Sequence, residues 1–346
     1  MSRGIDKQVS HAGVWSWRAG LANATEFDRE GLAAIVVLTV WPLLTGGWKT
    51  SALVLACVGV FGLTRSIASS NAWIVPAFLV FGLAMVAAVD LGGLLSDGAG
   101  RGPFGYANAK AALFVQGSAA AVMLAMTAAN TNVRRFALGA GFVFAIVPLV
   151  SGTVAASLTL GFVVGSMLLP RRWARQAVTS FMVLFAAVLI ATAVVGITGE
   201  LPGDSGGGRR VTLWSEAVGM VADNPVLGSG AFSETSPTAV SDADASWVHN
   251  EFLQLGAEHG VPALAAAAGT VIWLLVRLRR AAVMSTLALP AAAAVTALSV
   301  NACVDYVGHF VLIPLFCTAL VGTAIGVAET RTIRTRAGRP LRSTRT

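Results

Sequence analysis

The chain has 346 residues, of which 55% are hydrophobic and only 12% charged, and its formal net charge is +7. Soluble domains carry about a quarter charged residues, so this composition excludes an ordinary soluble protein and indicates a membrane protein with many spans. The excess of Lys and Arg lies mostly in short loops and in the C-terminal tail. We interpret that excess as topology information and attraction to anionic lipid, not as nucleic-acid binding.

About ten apolar segments predict an all-α bundle of membrane-spanning helices, because a span needs roughly 17–25 residues. They lie near residues 31–46, 49–65, 72–90, 107–129, 135–151, 153–170, 177–197, 259–277, 284–303 and 307–327. We expect a transmembrane domain over 29–328, a polar N-terminal segment over 1–28 and a basic tail over 329–346. The polar start predicts that no signal peptide is cleaved and that the first apolar segment stays as a span. The cysteines lie in apolar runs and predict neither a disulfide framework nor a zinc site.

Positive residues predict the orientation of this bundle. If ten spans alternate, the basic residues of the N-terminal segment, of four connections and of the tail all fall on one side. These are Arg29, Arg65, Arg134, Arg135, Arg171, Arg172, Arg175, Arg277, Arg279, Arg280 and the six arginines after Glu329. Arg-rich loops stay in the cytoplasm, so both termini are predicted to be cytoplasmic. The loop 91–103, the long segment 198–248 and the junction around Asp305 are then predicted to lie outside.

The long segment 198–248 has internal organisation. It opens with linker composition that includes residues 206–208, all glycine. Residues 210–221 follow a helical amphipathic pattern, which predicts a helix on the membrane surface. Turns are predicted at 223–225 and 228–230. Nothing repeats detectably along the chain, so an inverted-repeat transporter has no support from the sequence.

A polar stretch at 246–262 leads directly into the apolar run of a span. We predict a helix from Val248 to His259, ended by Gly260, with Pro262 in the first turn of the next helix. At about 100° per residue, His249 and Glu258 point to opposite sides of that helix. Any partner for His249 must therefore come from another part of the chain.

Four places in the chain follow recognisable sequence patterns. Residues 102–109 are similar to the pattern "G-x-F-G-x-x-N", and residues 210–232 to "R-x-x-x-W … N-P-x-x-G-x-G-x-x-F". Residues 249–260 match "H-N-x-x-L-x-x-x-x-E-x-G", the longest and most specific of the patterns. Asp305, ahead of the last span, is a weaker match. Together these places cover roughly residues 100–320 and resemble the O-antigen ligase and polymerase superfamily of bacterial membrane glycosyltransferases.

The resemblance implies a transferase for glycans carried by undecaprenyl pyrophosphate. The glycan would move to an acceptor sugar, either on a lipid core (ligase) or on another carrier-linked unit (polymerase). The resemblance also implies a reaction without metal or other cofactor, at the outer side of the cytoplasmic membrane. The expected partners are the lipid-linked donor, the sugar acceptor and membrane lipid.

The chemistry of such a transfer selects candidate residues. The leaving pyrophosphate must be offset by Arg, Lys or backbone N–H groups. Arg210 is the candidate clamp, with Arg209 or Arg101 as a second cation. The acceptor hydroxyl needs a base near neutral pH, and imidazole is the side chain suited to that task. His249 is therefore predicted to act as the base or as a hydrogen-bond donor to the leaving group.

Further candidates surround these two. Asn250 and Glu251 are expected to orient His249 or to bind sugar hydroxyls, and the first motif adds Asn108. Trp214 is either an anchor at the membrane interface or a platform for a sugar ring. Asn301, Asp305 and His309 follow one another at intervals of four residues, which predicts that they share one face of a helix. The structural alternative is a contact between Asp305 and His309 that closes the outer end of a helix pair.

One turn departs from the family pattern. The family shows "S-R-G/S" at the outer turn between the fifth and sixth spans, whereas residues 151–153 here read Ser-Gly-Thr. Either Arg101, Lys110 or Arg209 takes the place of that arginine, or this member is altered in its donor or impaired. Lys110 has a structural alternative, in which its amine simply extends to the interface.

Two other functions stay open. A polysaccharide transporter or flippase would place charges along several span interiors, but the mid-span residues are nearly all Ala, Val, Leu and Gly. A non-catalytic paralogue that binds carrier-linked glycan is compatible with the departure at 151–153. The structural alternative for Arg210 is a solvated charge at the end of a linker. For His249 it is a hydrogen bond at the membrane interface.

Overall fold

The computed structural model describes residues 26–89, 106–150, 153–199, 208–230 and 248–337, and these residues are helical without a strand. The helices are α1 (Glu26–Leu44), α2 (Trp48–Ser70), α3 (Ile74–Val89), α4 (Ala107–Thr127), α5 (Thr131–Val150), α6 (Val154–Leu168), α7 (Ala174–Thr198), α8 (Gly208–Asp223), α9 (Glu251–Ala281), α10 (Ala288–Ala302) and α11 (Leu312–Ala337). Short 3₁₀ turns occupy Arg171–Trp173 and Val307–His309.

The all-α membrane architecture predicted from the sequence is confirmed, and a helix lies at each predicted apolar segment. Six helices, α2, α4, α5, α7, α9 and α11, are long and apolar enough to cross a membrane. Four shorter apolar helices lie at Gly31–Leu44, Ile74–Ala88, Ala155–Ser166 and Ala288–Ala302. The count of ten spans and the orientation of the bundle stay predictions.

Helix α4 lies at the centre of the bundle. Of its most apolar window, 94% is buried, against 17–22% for α2, α5, α7 and α9. Its many alanines let neighbouring helices approach closely, and it packs against α3, α5, α6, α10 and α11. The outer helices turn large apolar side chains such as Phe78, Phe142 and Leu158 away from the bundle. Such a surface suits contact with lipid chains.

Helix α9 is interrupted near its N-terminal end, and this interruption shapes the region where the polar motifs meet. Gly260 has φ 78° and ψ 178°, which breaks the helix, and Pro262 follows in the next turn. The carbonyl groups freed by the break find donors elsewhere. Ser229 N donates to Ala257 O (2.8 Å) and Gly230 N to Glu258 O (3.0 Å). The turn at 224–230 therefore closes the end of the short helical segment that carries the third motif.

This contact requires glycine on both sides. A Cβ atom on Gly260 would collide with the Val226 carbonyl, and one on Gly228 would collide with the backbone of Glu258. Gly228 also has a positive φ of 71°. The second and third sequence motifs thus interlock, because their glycines allow two backbones to touch.

Two sequence expectations for this part of the fold are wrong in detail. The break at Gly260 is present, but the helix begins at Glu251, not at Val248, because Asn250 caps it. Asn301, Asp305 and His309 do not line one helical face, since α10 ends at Ala302. The Asn301 amide donates to Thr159 inside the bundle (3.1 Å), whereas the other two side chains follow in irregular and 3₁₀ structure.

Candidate active site

Asp305 is the side chain on which the polar motifs converge. It lies in the irregular junction between α10 and α11, with only 3% of its side chain exposed. Its carboxylate accepts hydrogen bonds from the Tyr106 hydroxyl (2.7 Å), the Tyr306 backbone N–H (2.8 Å) and the Asn108 amide. Tyr106 and Asn108 come from the start of α4, so the first motif is hydrogen-bonded directly to Asp305, the last of the four matches.

His249 and Arg210 approach the same carboxylate from two further segments. The Nδ1 atom of His249 lies 3.2 Å from Oδ1 of Asp305, and Nη2 of Arg210 lies 3.8 Å from Oδ2. Nη1 of Arg210 also donates to the Val304 carbonyl (3.1 Å). The structure therefore brings together the two residues that the sequence selected for catalysis. Arg210 keeps 44% of its side chain exposed, so its guanidinium remains accessible.

The protonation state of Asp305 determines which nitrogen of His249 is available. Burial alone would raise the pKa of Asp305, but hydrogen bonds from His249, Tyr106 and the Tyr306 backbone, together with the charge of Arg210, hold the pKa below its usual value. An ionised carboxylate only accepts, so Nδ1 of His249 is the donor. Among the described residues, Nε2 makes no hydrogen bond, and in a neutral ring with the proton on Nδ1 it is the nitrogen that carries the lone pair. This orientation suits a proton acceptor.

The backbone of His249 is held in an uncommon conformation. Its φ of 53° makes it the one non-glycine residue with positive φ in the described part of the chain. The Trp214 indole N–H donates to its carbonyl (3.3 Å), and Trp214 is buried against Ala217 and Leu253. Trp214 thus supports the histidine from inside the protein and is not an exposed anchor in lipid, which corrects that interpretation.

Asn250 fixes the chain directly after His249. Its side-chain oxygen accepts from the N–H groups of Phe252 and Leu253, and its amide donates to the Cys303 carbonyl (2.6 Å). The residue is completely buried. Of the two roles expected for Asn250, this arrangement favours positioning His249 over contact with sugar hydroxyls.

Glu251 pairs with a different histidine from the one expected. Its Oε1 atom lies 2.8 Å from Nδ1 of His309 and accepts from the His309 backbone N–H (3.1 Å). Burial alone would lower the pKa of His309, but the charge and hydrogen bond of Glu251, with a contribution from Glu258, raise it above its usual value. The expected contact between Asp305 and His309 is not formed. Instead, His309 pairs with Glu251 at the start of α9, and Asp305 pairs with His249 just before that helix.

An aromatic cluster that sequence reasoning did not select borders these polar groups. The rings of Tyr106, Tyr306 and Phe310 stack on one another, with the first two centroids 4.7 Å apart. The edge of the His249 ring meets Tyr306 at 4.8 Å. Burial and the neighbouring Asp305 raise the pKa of Tyr106, so its hydroxyl stays protonated as a donor. Tyr106 lies inside the first motif, and this position was the sequence signal that could have identified it as a site residue.

The remaining candidates divide into those near the site and those not described. Asn108 contacts Asp305 directly, and its amide also lies 2.9 Å from the Tyr106 hydroxyl. Lys110 is buried in α4, with 6% exposed, so it does not extend into solvent. Arg101, the side chain of Arg209 and residues 151–152 lie outside what the structure describes.

Two other features bear on what the molecule can bind. A cavity of about 370 Å³ lies at the opposite end of α4 from Tyr106, between residues such as Met126, Arg134 and Leu289, and is not part of this site. Within the described ranges, no group of three or more His, Cys, Asp or Glu side chains is placed to hold a metal ion.

Comparison with known proteins matches part of the chain to one family. The family model described as O-antigen ligase matches residues 106–268. The match includes Tyr106, Asn108, Arg210 and His249, but it ends before Asp305. No curated protein matches the chain.

Proposed function

We propose that this chain, a multi-pass membrane member of the O-antigen ligase and polymerase superfamily with the family domain over residues 106–268, transfers a glycan from an undecaprenyl-pyrophosphate carrier to an acceptor sugar. The reaction takes place at the outer side of the cytoplasmic membrane, which is where the distribution of basic residues in the sequence predicts the junction around Asp305. The observation that carries the proposal is the convergence of His249 and Arg210 on one buried carboxylate.

His249 acts as the base. The acceptor hydroxyl gives its proton to Nε2, and the acceptor oxygen forms a bond to the anomeric carbon of the donor sugar. The bond between that carbon and the phosphate oxygen breaks at the same centre. Its electron pair leaves with the carrier diphosphate, so the released carrier gains one negative charge.

Arg210 offsets that charge. Nη1 donates to Val304 and Nη2 lies near Asp305, and with 44% of the side chain exposed the guanidinium can also donate to phosphate oxygens. A guanidinium binds such oxygens in a bidentate manner, which fixes the direction of the leaving group.

Asp305 acts as a positioning residue. It holds the imidazole through Nδ1 and stabilises the imidazolium that forms when Nε2 takes a proton. Tyr106, Asn108 and the Tyr306 backbone hold the carboxylate in turn. These contacts keep the lone pair of His249 in one direction before substrate binds.

The test is a transfer assay with the full chain in lipid nanodiscs. A lipid-diphosphate-linked glycan and an acceptor saccharide are supplied, and the product is followed by mass spectrometry. His249→Ala is expected to lower kcat by about 10²–10⁴-fold, the range for loss of a general base. Arg210→Ala is expected to raise the donor KM and lower kcat. Arg277→Ala, near the other end of α9, is the matched control and should transfer at the wild-type rate.

Wild-type rates in both His249→Ala and Arg210→Ala would contradict these roles. A wild-type protein that binds the donor yet transfers nothing would favour the non-catalytic glycan-binding alternative. A strain that lacks the protein separates the two transfer reactions. Accumulated single carrier-linked units would identify a polymerase, and accumulated long chains would identify a ligase.

A further inference from the structure

A second imidazole–carboxylate pair lies beside the one that positions His249. Nδ1 of His309 is 2.8 Å from Glu251, and both this imidazole and that of His249 lie edge-on to the ring of Tyr306, at 6.5 Å and 4.8 Å between centroids. The backbone at Gly308 passes so close to Glu251 that a Cβ there would lie 3.2 Å from the carboxylate carbon. The pair is therefore held by the backbone at residues 308–309 as well as by the ring contact.

The two pairs differ in how the carboxylate charge is used. Asp305 divides its charge among His249, Arg210, Tyr106, Asn108 and the Tyr306 backbone. Among described residues, Glu251 receives donors only from His309, through the ring and the backbone N–H. The negative charge of Glu251 therefore acts on one imidazole, that of His309, and favours the protonated form of that ring.

The other charged groups near His309 act in the same direction or are paired with each other. Glu258, deeper in α9, adds negative charge and helps to raise the pKa of His309 against the effect of burial. Asp305 and His249 form their own pair, and the His249 ring also contacts Tyr306. Since 29% of the His309 side chain is exposed, an incoming ligand can reach the ring.

We propose that His309 is a second cationic residue of the active site, which donates from Nε2 to the diphosphate of the lipid-linked donor while Glu251 holds Nδ1. This inference rests on the proposed function, because it assigns a residue to the same donor. A diphosphate carries two or more negative charges, and Arg210 already shares its charge with Asp305. A second cation offsets the remaining negative charge of the diphosphate, and no atom is transferred to or from His309.

The two histidines then have separate tasks on the two substrates. His249 takes a proton from the acceptor, and His309 binds the leaving diphosphate of the donor. Substitutions at the two positions should therefore affect different kinetic constants. A purely structural role for the Glu251–His309 pair would instead change stability without preference for either substrate.

The first experiment measures donor and acceptor KM for His309→Gln, His309→Lys and Glu251→Gln in nanodiscs. His309→Gln is expected to raise the donor KM about tenfold or more, the range for losing a hydrogen bond to a charged group, and to leave the acceptor KM unchanged. His309→Lys should restore the donor KM, because a lysine keeps the positive charge. Lys49→Gln, which removes an exposed cation elsewhere, is the control and should leave both constants unchanged.

The second experiment is the pH profile of the donor KM. The wild-type donor KM should rise as pH increases through the pKa of His309, because the neutral ring is no longer a cation. Glu251→Gln should move this rise to lower pH, since Glu251 raises that pKa. His309→Lys should keep a low donor KM to higher pH than the wild type. An unchanged profile in both variants would overturn the proposal.

Binding of undecaprenyl diphosphate without glycan or acceptor separates this inference from the proposed function. Weaker binding by His309→Gln than by the wild type supports the role of His309 even if no glycan transfer is detected. Equal binding by the two proteins overturns it even if transfer is efficient. If His309→Gln fails to fold, the same comparison between the wild type and Glu251→Gln at rising pH gives the decision.

Discussion

A carboxylate lies between cationic groups near each end of helix α9, but the two carboxylates have different surroundings. Near its N-terminal end, Asp305 is almost completely buried and faces His249 and Arg210. Near its C-terminal end, Glu329 keeps 36% of its side chain exposed and pairs with Arg65 (2.8 Å) and Arg277 (3.3 Å). Residue types alone do not distinguish a catalytic cluster from a structural one.

Burial gives the two carboxylates different consequences. An exposed ion pair contributes about 0–1 kcal/mol to stability, and salt weakens it further. A buried carboxylate must satisfy its oxygens with several donors, and those donors are then fixed in direction. At Asp305 one fixed donor is an imidazole. The buried cluster therefore controls geometry, whereas the exposed cluster joins the ends of α2, α9 and α11.

The largest expected effect that separates the two ends is that of Asp305→Asn. An amide cannot stabilise an imidazolium, and its NH₂ group can face Nδ1 and reverse the orientation of the ring. We expect kcat to fall by about 10²–10⁴-fold with little change in donor KM, as measured by the transfer assay. A variant that keeps the wild-type kcat would mean that His249 needs no carboxylate partner.

An intermediate effect is expected when the backbone contact at the buried end is broken. Gly260→Ala would place a methyl group against the Val226 carbonyl at a residue with φ 78°. We expect a loss of stability of about 2–4 kcal/mol, measured by thermal unfolding in detergent, and loss of transfer. Gly62→Ala is the matched control, because nothing lies within 4 Å of the added atom. It should change stability by less than about 1 kcal/mol.

The smallest expected effect is that of Glu329→Gln at the exposed end. It removes the ion pairs with Arg65 and Arg277, and we expect stability to fall by at most about 1 kcal/mol. Transfer should stay within about twofold of the wild type, and added salt should reduce the difference in stability. A loss as large as that of Asp305→Asn would show that the comparison between the two ends fails.

The sequence predicted the helices well because apolar segments of span length are a strong signal. Each predicted segment coincides with a helix, although α11 continues to Ala337, ten residues beyond the predicted end at 327. The predicted segment 284–303 ends within one residue of α10, which ends at Ala302. The helical face predicted for Asn301, Asp305 and His309 was wrong because their four-residue spacing was treated as helical across that end.

For the site, the sequence supplied residue types but not pairings. His249 and Arg210 were selected by chemistry and motif. A distant partner for His249 was predicted by placing His249 on a helix; that helix begins only at Glu251, but the partner is indeed distant. The identity of that partner depends on a contact across 56 positions. Local patterns contain no information about such contacts. Tyr106 was overlooked because a lone tyrosine before an apolar helix is ordinary at a membrane interface.

The position of Asp305 has a consequence for dividing this chain into parts. The family domain stops at residue 268, yet the carboxylate that orients its histidine lies 37 residues later, after α10. A truncated version ending at the domain boundary would carry His249 and Arg210 without Asp305, the carboxylate that contacts both. Chimeras that exchange substrate preference between relatives should therefore take α10 and the following junction together with the domain.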